Sequence, residues 1–154
     1  IGAAPPPERM EIRKIVSSSV GYLENRISKK VQFFFDFTDN EVYALINESL
    51  FSWVIENLTK NAVDAMEGKG KITYTISDTP SCIYLDITDT GKGIPKSKFK
   101  TIFSPGYTTK TRGWGLGLSL TKRIIESYYK GKIYVKSSEL GVGTIFRIEL
   151  KKAE

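Results

Sequence analysis

Three polar residues, Asn57, Asn61 and Asp64, recur at intervals of four and three in a stretch that otherwise has the pattern of a buried helix. The stretch from Phe51 to Met66 contains good helix formers and no proline or glycine, so it predicts a helix. On that helix the three side chains form one stripe beside a broad apolar face. Carboxamide and carboxylate oxygens suit a hard cation such as Mg²⁺ bound together with phosphates, although a plain amphipathic helix with solvated asparagines fits the pattern equally well.

The segment 89–95, with the sequence Asp-Thr-Gly-Lys-Gly-Ile-Pro, follows a predicted strand. The carboxylate of Asp89 could accept a hydrogen bond from the exocyclic amino group of a flat base, and glycines allow such a ring to approach the backbone closely. The same composition is typical of ordinary turns, so the motif indicates a ring-binding site only in combination with others.

Two further motifs lie in the long polar segment that follows. Residues 113–118, Gly-Trp-Gly-Leu-Gly-Leu, lead directly into a predicted helix, and backbone N–H groups at a helix N-terminus bind anions. The pattern is not a Walker A loop, because no Gly-Lys-Ser/Thr follows, and a leucine replaces the third glycine of a dinucleotide fingerprint. The other motif begins with Phe103, which could anchor the loop. It ends in Thr108, Thr109 and Lys110, whose side chains suit phosphate oxygens but are also common on surfaces.

A scaffold of strands and helices must position these motifs, and hydrophobic periodicity predicts both. Helical spacing covers about 8–28, 51–66 and 118–129, whereas strand formers occupy 31–37, 42–46, 72–76, 82–89, 132–136 and 143–150. Several strands in one sheet with helices on one face give an α+β fold, a sandwich of two layers.

Composition limits the function classes. A chain of 154 residues with 40% hydrophobic and 26% charged residues is typical of one globular domain. No apolar run is long enough to span a bilayer, the start has no signal-peptide pattern, and Cys82 is the single cysteine, so we expect a cytoplasmic location. The absence of histidine excludes imidazole chemistry, and a net charge of +6 favours an anionic ligand or partner.

Taken together and in this order, the motifs resemble the Bergerat-fold ATPases, which include gyrase, MutL and the histidine kinases. The closest resemblance is to the catalytic, ATP-binding domain of two-component sensor histidine kinases, and it covers residues 31–150. The matching boxes are residues 56–62 (N box), 89–95 (G1 box), 101–103 (F box), 113–118 (G2 box) and a final glycine-rich element at 141–144. The resemblance implies a mixed, mostly antiparallel sheet covered by helices on one face.

The resemblance implies ATP and Mg²⁺ as cofactors and assigns roles to individual residues. Asn61 would provide a ligand to Mg²⁺, and Asn57 and Lys110 would be catalytic, with Asn57 also holding the triphosphate. Asp89 would accept a hydrogen bond from the adenine amino group, with Thr144 near the same edge of the base. The other expected nucleotide contacts are Asp64, Gly91, Gly93, Ile94, Phe103, Thr108, Thr109, Gly113, Gly115, Leu116, Gly117 and Leu118.

One position of the N box separates kinases from hydrolases in this superfamily. The hydrolytic branch places its general-base glutamate four residues before the Mg²⁺ asparagine, where this chain has Asn57, a carboxamide that cannot take a proton from water. Glu56 lies about 140° around the helix from Asn61 and should point elsewhere. With an ATP lid at about 94–115, the resemblance implies phosphoryl transfer to an external nucleophile, which needs mainly positioning and charge neutralisation.

The chain is expected to divide into three parts. Residues 1–7 would be a linker or cloning remnant, 8–28 a helix from or following a phosphoacceptor domain, and 29–154 the catalytic domain. Because no histidine is present, the resemblance implies that the phosphoacceptor histidine lies on a separate dimerisation domain of the parent kinase. A response regulator would be an indirect partner, the isolated domain would be a monomer, and the parent could be membrane-anchored.

Two other functions stay open. Serine protein kinases of the anti-sigma-factor or mitochondrial dehydrogenase-kinase type share this fold, and a nucleotide-sensing interaction module could bind ATP without transferring phosphate. Nucleic-acid binding is not expected, because the basic residues are spread along the chain and no nucleic-acid motif occurs. Trp114 departs from the small polar residue that is usual at its position in the family.

Overall fold

The structure, a computed structural model, describes residues 6–107 and 117–153. Its helices are α1 (Ile12–Glu24), α2 (Glu48–Ala65) and α3 (Gly117–Arg123), the last continued by a π turn (Ile124–Tyr128), with 3₁₀ turns at Lys96–Lys98 and Thr101–Phe103. Its strands are β1 (Glu8–Glu11), β2 (Val31–Phe37), β3 (Tyr43–Ile46), β4 (Gly70–Asp78), β5 (Cys82–Asp89), β6 (Lys132–Glu139) and β7 (Gly143–Lys151). Each predicted strand overlaps an observed one.

Five strands form the main sheet in the order β2-β4-β5-β7-β6. The β2–β4 pair is parallel and the other pairs are antiparallel, so the sheet is mixed and mostly antiparallel, as predicted. Side chains alternate along each strand, and Ile83, Leu85 and Ile87 of β5 are buried in the core. Asp89 is the next residue of the same parity, so the pleat itself directs this carboxylate to the core side of the sheet.

Helices α1 and α2 pack together and share one hydrophobic core with the main sheet, which confirms the predicted α+β fold. Helix α2 buries Phe51, Ile55 and Leu58 on its apolar face, and each such burial stabilises the fold by about 1.5–3 kcal/mol. Asn47 begins the helix, because its Oδ1 accepts a hydrogen bond from the Leu50 N–H over 3.0 Å. No helix in the described parts of the chain has the length and apolar character needed to cross a membrane.

The segment 8–11 differs from the prediction, because it forms strand β1 rather than the first turn of a helix. β1 pairs antiparallel with β3. The buried carboxylate of Glu11 caps α1 by accepting a hydrogen bond from the Arg13 N–H over 3.0 Å, and it also accepts one from the Val42 N–H over 3.2 Å. Hydrophobic periodicity contains no information about such a cap. At its other end the helix stops at Glu24, earlier than the predicted end at about residue 28.

The π turn after α3 ties that helix to the beginning of α2. The Tyr129 hydroxyl accepts a hydrogen bond from the Asn47 N–H over 3.0 Å and lies 3.3 Å from the carbonyl oxygen of the same residue, to which it donates. Burial raises the pKa of the Tyr129 hydroxyl, so it stays protonated and able to donate. The helix that carries the polar stripe and the helix that follows the glycine motif are thus held in a fixed relation.

Candidate functional site

Asp89, the last residue of β5, provides the carboxylate of the predicted ring-binding motif. The residue is only 5% exposed. Its Oδ1 accepts a hydrogen bond from the Gly91 N–H over 2.8 Å, and the backbone N–H of Thr144 also bonds to the carboxylate. Burial raises the pKa of Asp89 above its ordinary value of 3.8, and the two backbone hydrogen bonds partly oppose that shift. The carboxylate is therefore a positioned acceptor in a poorly hydrated place.

Close backbone approaches explain the glycines of the same motif. A Cβ on Gly91 would lie 2.7 Å from atoms of Ala65 at the end of α2, and the N–H of Lys92 donates to the Ala65 carbonyl over 3.0 Å. Gly93 has a φ of +81°, and a Cβ there would lie 2.4 Å from the carbonyl oxygen of Glu139. The motif is thus packed between the C-terminus of α2 and the turn that joins β6 to β7.

Ser138, on strand β6, connects the 89–95 segment to strand β7 through hydrogen bonds. Its hydroxyl accepts a hydrogen bond from the Ile94 N–H over 2.7 Å, and it lies 2.8 Å from the Thr144 hydroxyl and 3.1 Å from the Gly143 carbonyl oxygen. Thr144 is buried and is the register partner of Asp89 across β5 and β7. The structure therefore brings Thr144, which is distant in the sequence, next to Asp89 and Ile94 of the 89–95 segment.

Asn57 contacts the beginning of α3. Its Nδ2 donates a hydrogen bond to the buried Thr121 hydroxyl over 3.1 Å. A Cβ on Gly117, the first residue of α3, would lie 2.6 Å from Asn57 Oδ1, so a larger residue could not occupy this position without moving the asparagine. The first asparagine of the stripe and the last glycine of the 113–118 motif are therefore neighbours.

The rest of the polar stripe lies between these two contacts. Asn61 is half-buried one helical turn beyond Asn57, and Asp64 is exposed next to Ala65, which contacts the G1 box. The stripe thus runs from the start of α3 to the segment that contains Asp89.

Phe103 and Leu118 join the flanks of the long loop to the core. Phe103 is buried and packs edge-to-face on Phe146 with ring centroids 6.1 Å apart, and Lys122 Nζ lies 5.4 Å from the Phe103 centroid. Leu118 is half-buried against the same core. The remaining predicted site residues and Trp114 lie outside the described residues: Thr108, Thr109, Lys110, Gly113, Gly115 and Leu116.

Two residues of this site, Thr121 and Ser138, are not part of any predicted motif. Thr121 is fully buried on the helix face that Leu118, Ile124 and Ile125 define. A threonine at such a position indicates a buried hydrogen-bond partner, and that signal was available in the sequence. No pattern marks Ser138, because its partners come from two other segments of the chain.

Glu56 lies on a different side of α2 from this site. Its carboxylate pairs with Lys60 over 3.2 Å. It also lines a groove between α1 and α2 together with Tyr22 and Trp53. The glutamate next to Asn57 is therefore directed away from the polar stripe, as its position on the helix predicted, and it faces the groove beside α1.

The available donor atoms fit a Mg²⁺ ion that is shared with phosphates better than one enclosed by protein. No group of three or more His, Cys, Asp and Glu in residues 6–107 and 117–153 could hold a metal ion. The carboxamide oxygens of Asn57 and Asn61 offer one or two ligands, and Mg²⁺ commonly takes that few from protein and the rest from phosphates and water. Because Gly117 has no Cβ, there is room beside Asn57 Oδ1 for a Mg²⁺ ion that is shared with phosphates.

The sequence matches the family described as histidine kinase-, DNA gyrase B-, and HSP90-like ATPase over residues 46–154. Sporulation kinase C of Bacillus subtilis (strain 168) is 35% identical over 104 residues, which make up 68% of this chain and 24% of that protein. The sensor histidine kinase ZraS of Escherichia coli (strain K12) is 34% identical over 123 residues, 80% of this chain and 26% of that protein. The chain thus spans about a quarter of the length of these relatives.

The fold is also similar to solved structures. The catalytic domain of histidine kinase ThkA, in a nucleotide-free form, aligns with a TM-score of 0.85 at 28% identity over 96% of this chain and 99% of that chain. A structure of ThkA in complex with the response regulator protein TrrA aligns with a TM-score of 0.83 at 27% identity over 96% of this chain and 42% of that chain. Sequence and fold therefore point to the same group of proteins.

Proposed function

Because this chain belongs to the family of histidine kinase-, DNA gyrase B-, and HSP90-like ATPases, as the catalytic domain of a sensor histidine kinase, we propose that it binds Mg-ATP and donates the γ-phosphoryl group to a histidine. That histidine lies on a separate dimerisation and phosphoacceptor domain of the parent kinase. A response regulator is the indirect partner.

The contact between Asn57 and Gly117 is the observation that carries this proposal. It places the polar stripe of α2 against the first residue of the helix that follows the glycine-rich motif. Backbone N–H groups at that position bind phosphate, and the asparagine oxygens offer ligands to the cation that accompanies it. Bound Mg²⁺ would neutralise charge on the phosphates.

The base is assigned to the other end of the stripe. Asp89 accepts a hydrogen bond from the adenine amino group, with Thr144 at the same edge of the base. The glycines and Ile94 of the 89–95 segment form the wall of this pocket, and the packing of that segment between α2 and the β6–β7 turn supports their rigidity. Asp64 and Phe103 lie at the borders of the site, and Lys110 with the threonines before it would contact the phosphates from the lid.

Transfer to an external nucleophile is favoured over hydrolysis by the side chains around Asn61. Asn57 occupies the position of the general base of the hydrolytic branch, and its amide is already committed to Thr121. Glu56 is paired with Lys60 on the α1 side of the helix. Neither of these two side chains can therefore act as the general base for hydrolysis, and phosphoryl transfer by positioning does not require one.

The test supplies the chain with ATP labelled in the γ-phosphate and a purified histidine phosphoacceptor domain. We expect label on the acceptor in a form that is labile in acid and stable in base, as a phosphoramidate is. An acceptor whose histidine is replaced by glutamine should remain unlabelled. Acid-stable label on a serine would instead indicate the serine-kinase alternative, and nucleotide binding without transfer to any supplied domain would indicate a sensing module.

A further inference from the structure

Ser138 is the junction of three hydrogen bonds beside the proposed adenine edge, and none of the motifs includes it. We propose that Ser138 is a specificity-determining positioning residue, which fixes the direction of the Thr144 hydroxyl so that the site presents only acceptors to the 6-position of a purine. This inference rests on the proposed function, because it concerns the base that the site selects.

The serine hydroxyl has a single proton, and the direction of that proton decides which way the Thr144 hydroxyl donates. Ser138 Oγ accepts the N–H of Ile94 over 2.7 Å, and it lies 3.1 Å from the carbonyl oxygen of Gly143, which can only accept. With the serine proton directed at that carbonyl, Ser138 has no proton left for Thr144. In the 2.8 Å hydrogen bond between the two hydroxyl oxygens, the threonine is therefore the donor. Thr144 then donates to Ser138 and presents lone pairs alone to a ligand.

The neighbour of Thr144 has the same polarity. Asp89 is its register partner across β5 and β7, and the backbone N–H of Thr144 bonds to the Asp89 carboxylate. The Asp89 carboxylate and the Thr144 hydroxyl oxygen therefore lie side by side as two hydrogen-bond acceptors. The exocyclic amino group of adenine has two N–H donors and fits this pair, whereas the carbonyl oxygen of hypoxanthine or guanine has none and would face two acceptors.

Replacing Ser138 by alanine removes the acceptor that holds the Thr144 proton. The threonine hydroxyl can then rotate and donate to a carbonyl at the 6-position, so discrimination between adenine and hypoxanthine should weaken. One hydrogen bond gained by the wrong base corresponds to a loss of about fivefold to tenfold in the ratio of affinities.

The experiment measures calorimetric dissociation constants for ADP and for inosine diphosphate in the presence of Mg²⁺. We expect wild type to prefer ADP, Ser138→Ala to lower the ADP-to-inosine preference by about fivefold to tenfold, and the neighbouring exposed Ser137→Ala to leave it unchanged. The ratio is the readout because loss of the Ile94 bond could weaken the binding of both nucleotides equally.

A double-mutant cycle separates positioning through Thr144 from a general loosening of the pocket. In a Thr144→Val background, which lacks the hydroxyl, Ser138→Ala should produce no further change in the ratio. An unchanged ratio in Ser138→Ala alone, or the same change in both backgrounds, would overturn this inference. Absence of ADP binding to the wild type would instead overturn the proposed function.

Discussion

The Asn57 carboxamide donates a hydrogen bond to the Thr121 hydroxyl over 3.1 Å, while its Oδ1 lies beside the Cα of Gly117. One side chain therefore links α2 to α3 and orients its own oxygen in the same contact. Thr121 is completely buried, so this bond is shielded from competing water. The orientation of Asn57 is thus a consequence of how the two helices pack.

Replacing Thr121 by valine should release the Asn57 amide with little change in packing volume. A net hydrogen bond of about 1 kcal/mol corresponds to an affinity for Mg-ADP that is lower by about fivefold. Thr59→Val is the matched control, because Thr59 is equally buried on α2 but bonds to the Tyr74 hydroxyl over 2.6 Å, away from the site. Calorimetry and urea unfolding should show that Thr121→Val mainly affects binding and Thr59→Val mainly affects stability. The opposite pattern would contradict the assigned role of Thr121.

Gly117→Ala should weaken nucleotide binding. The new Cβ would lie only 2.6 Å from Asn57 Oδ1 and would therefore displace that oxygen. We expect an affinity for Mg-ADP at least about tenfold lower, since both the Thr121 bond and the position of Asn57 Oδ1 are disturbed. Gly21→Ala is the control, because a Cβ at that helical glycine of α1 meets nothing within 4 Å. It should stabilise the fold by about 0.5–1 kcal/mol and leave binding unchanged. If Gly117→Ala and Gly21→Ala changed the affinity for Mg-ADP by the same factor, the steric explanation would be wrong.

Gly93→Ala should destabilise the domain by more than Gly106→Ala does. Both glycines have a positive φ, +81° and +85°, so alanine costs about 1–2 kcal/mol of backbone strain at either position. Only Gly93 also faces a carbonyl oxygen, that of Glu139, at 2.4 Å, whereas a Cβ on Gly106 meets nothing within 4 Å. Chemical unfolding of the two variants measures the difference. Similar losses would mean that the packing of the G1 box against the β6–β7 turn contributes little.

The pKa of Asp89 predicts a pH dependence of opposite sign to that of an ordinary paired carboxylate. Because burial raises the folded-state pKa above 3.8, the folded chain binds the proton more tightly than the unfolded chain. The contribution of Asp89 to the free energy of unfolding therefore falls as pH rises from 3.8 through the raised pKa, and Asp89→Asn should lack this component. Unfolding measured for both proteins from the acid range to neutral pH tests the sign.

The same substitution should weaken the binding of adenine nucleotides. A hydrogen bond to a charged acceptor contributes about 1.5–3 kcal/mol, so we expect a loss of roughly tenfold to a hundredfold in ADP affinity. Asp86→Asn is the matched control, since Asp86 lies on the same strand but bonds to Arg147 through two hydrogen bonds of 2.7 and 2.9 Å on the opposite face. It should lower stability and leave ADP affinity unchanged.

The positions of Asn57, Asn61 and Asp89 in the fold could be predicted from local periodicity. A helix period places the two asparagines on one stripe, and a strand period places Asp89 on the core side of β5. The order of the glycine-rich boxes then indicated which distant segments meet.

The hydrogen bonds that orient these side chains could not be predicted in the same way. Thr121 and Ser138 act on residues more than forty positions away, Asn57 and Ile94, through the packing of helices and the register of strands. The short strand β1 was not predicted for a related reason, since it pairs with β3 and the Glu11 carboxylate at its end is held by the N–H of Val42, which belongs to a different segment.

The most direct test of the proposed nucleotide site is a calorimetric titration with ADP and a non-hydrolysable ATP analogue, each with and without Mg²⁺. We expect Mg²⁺-dependent binding to wild type, loss of the Mg²⁺ dependence in Asn61→Ala, and loss of the preference for adenine in Asp89→Asn. Absence of binding to wild type, or unchanged binding in both variants, would contradict the proposed site.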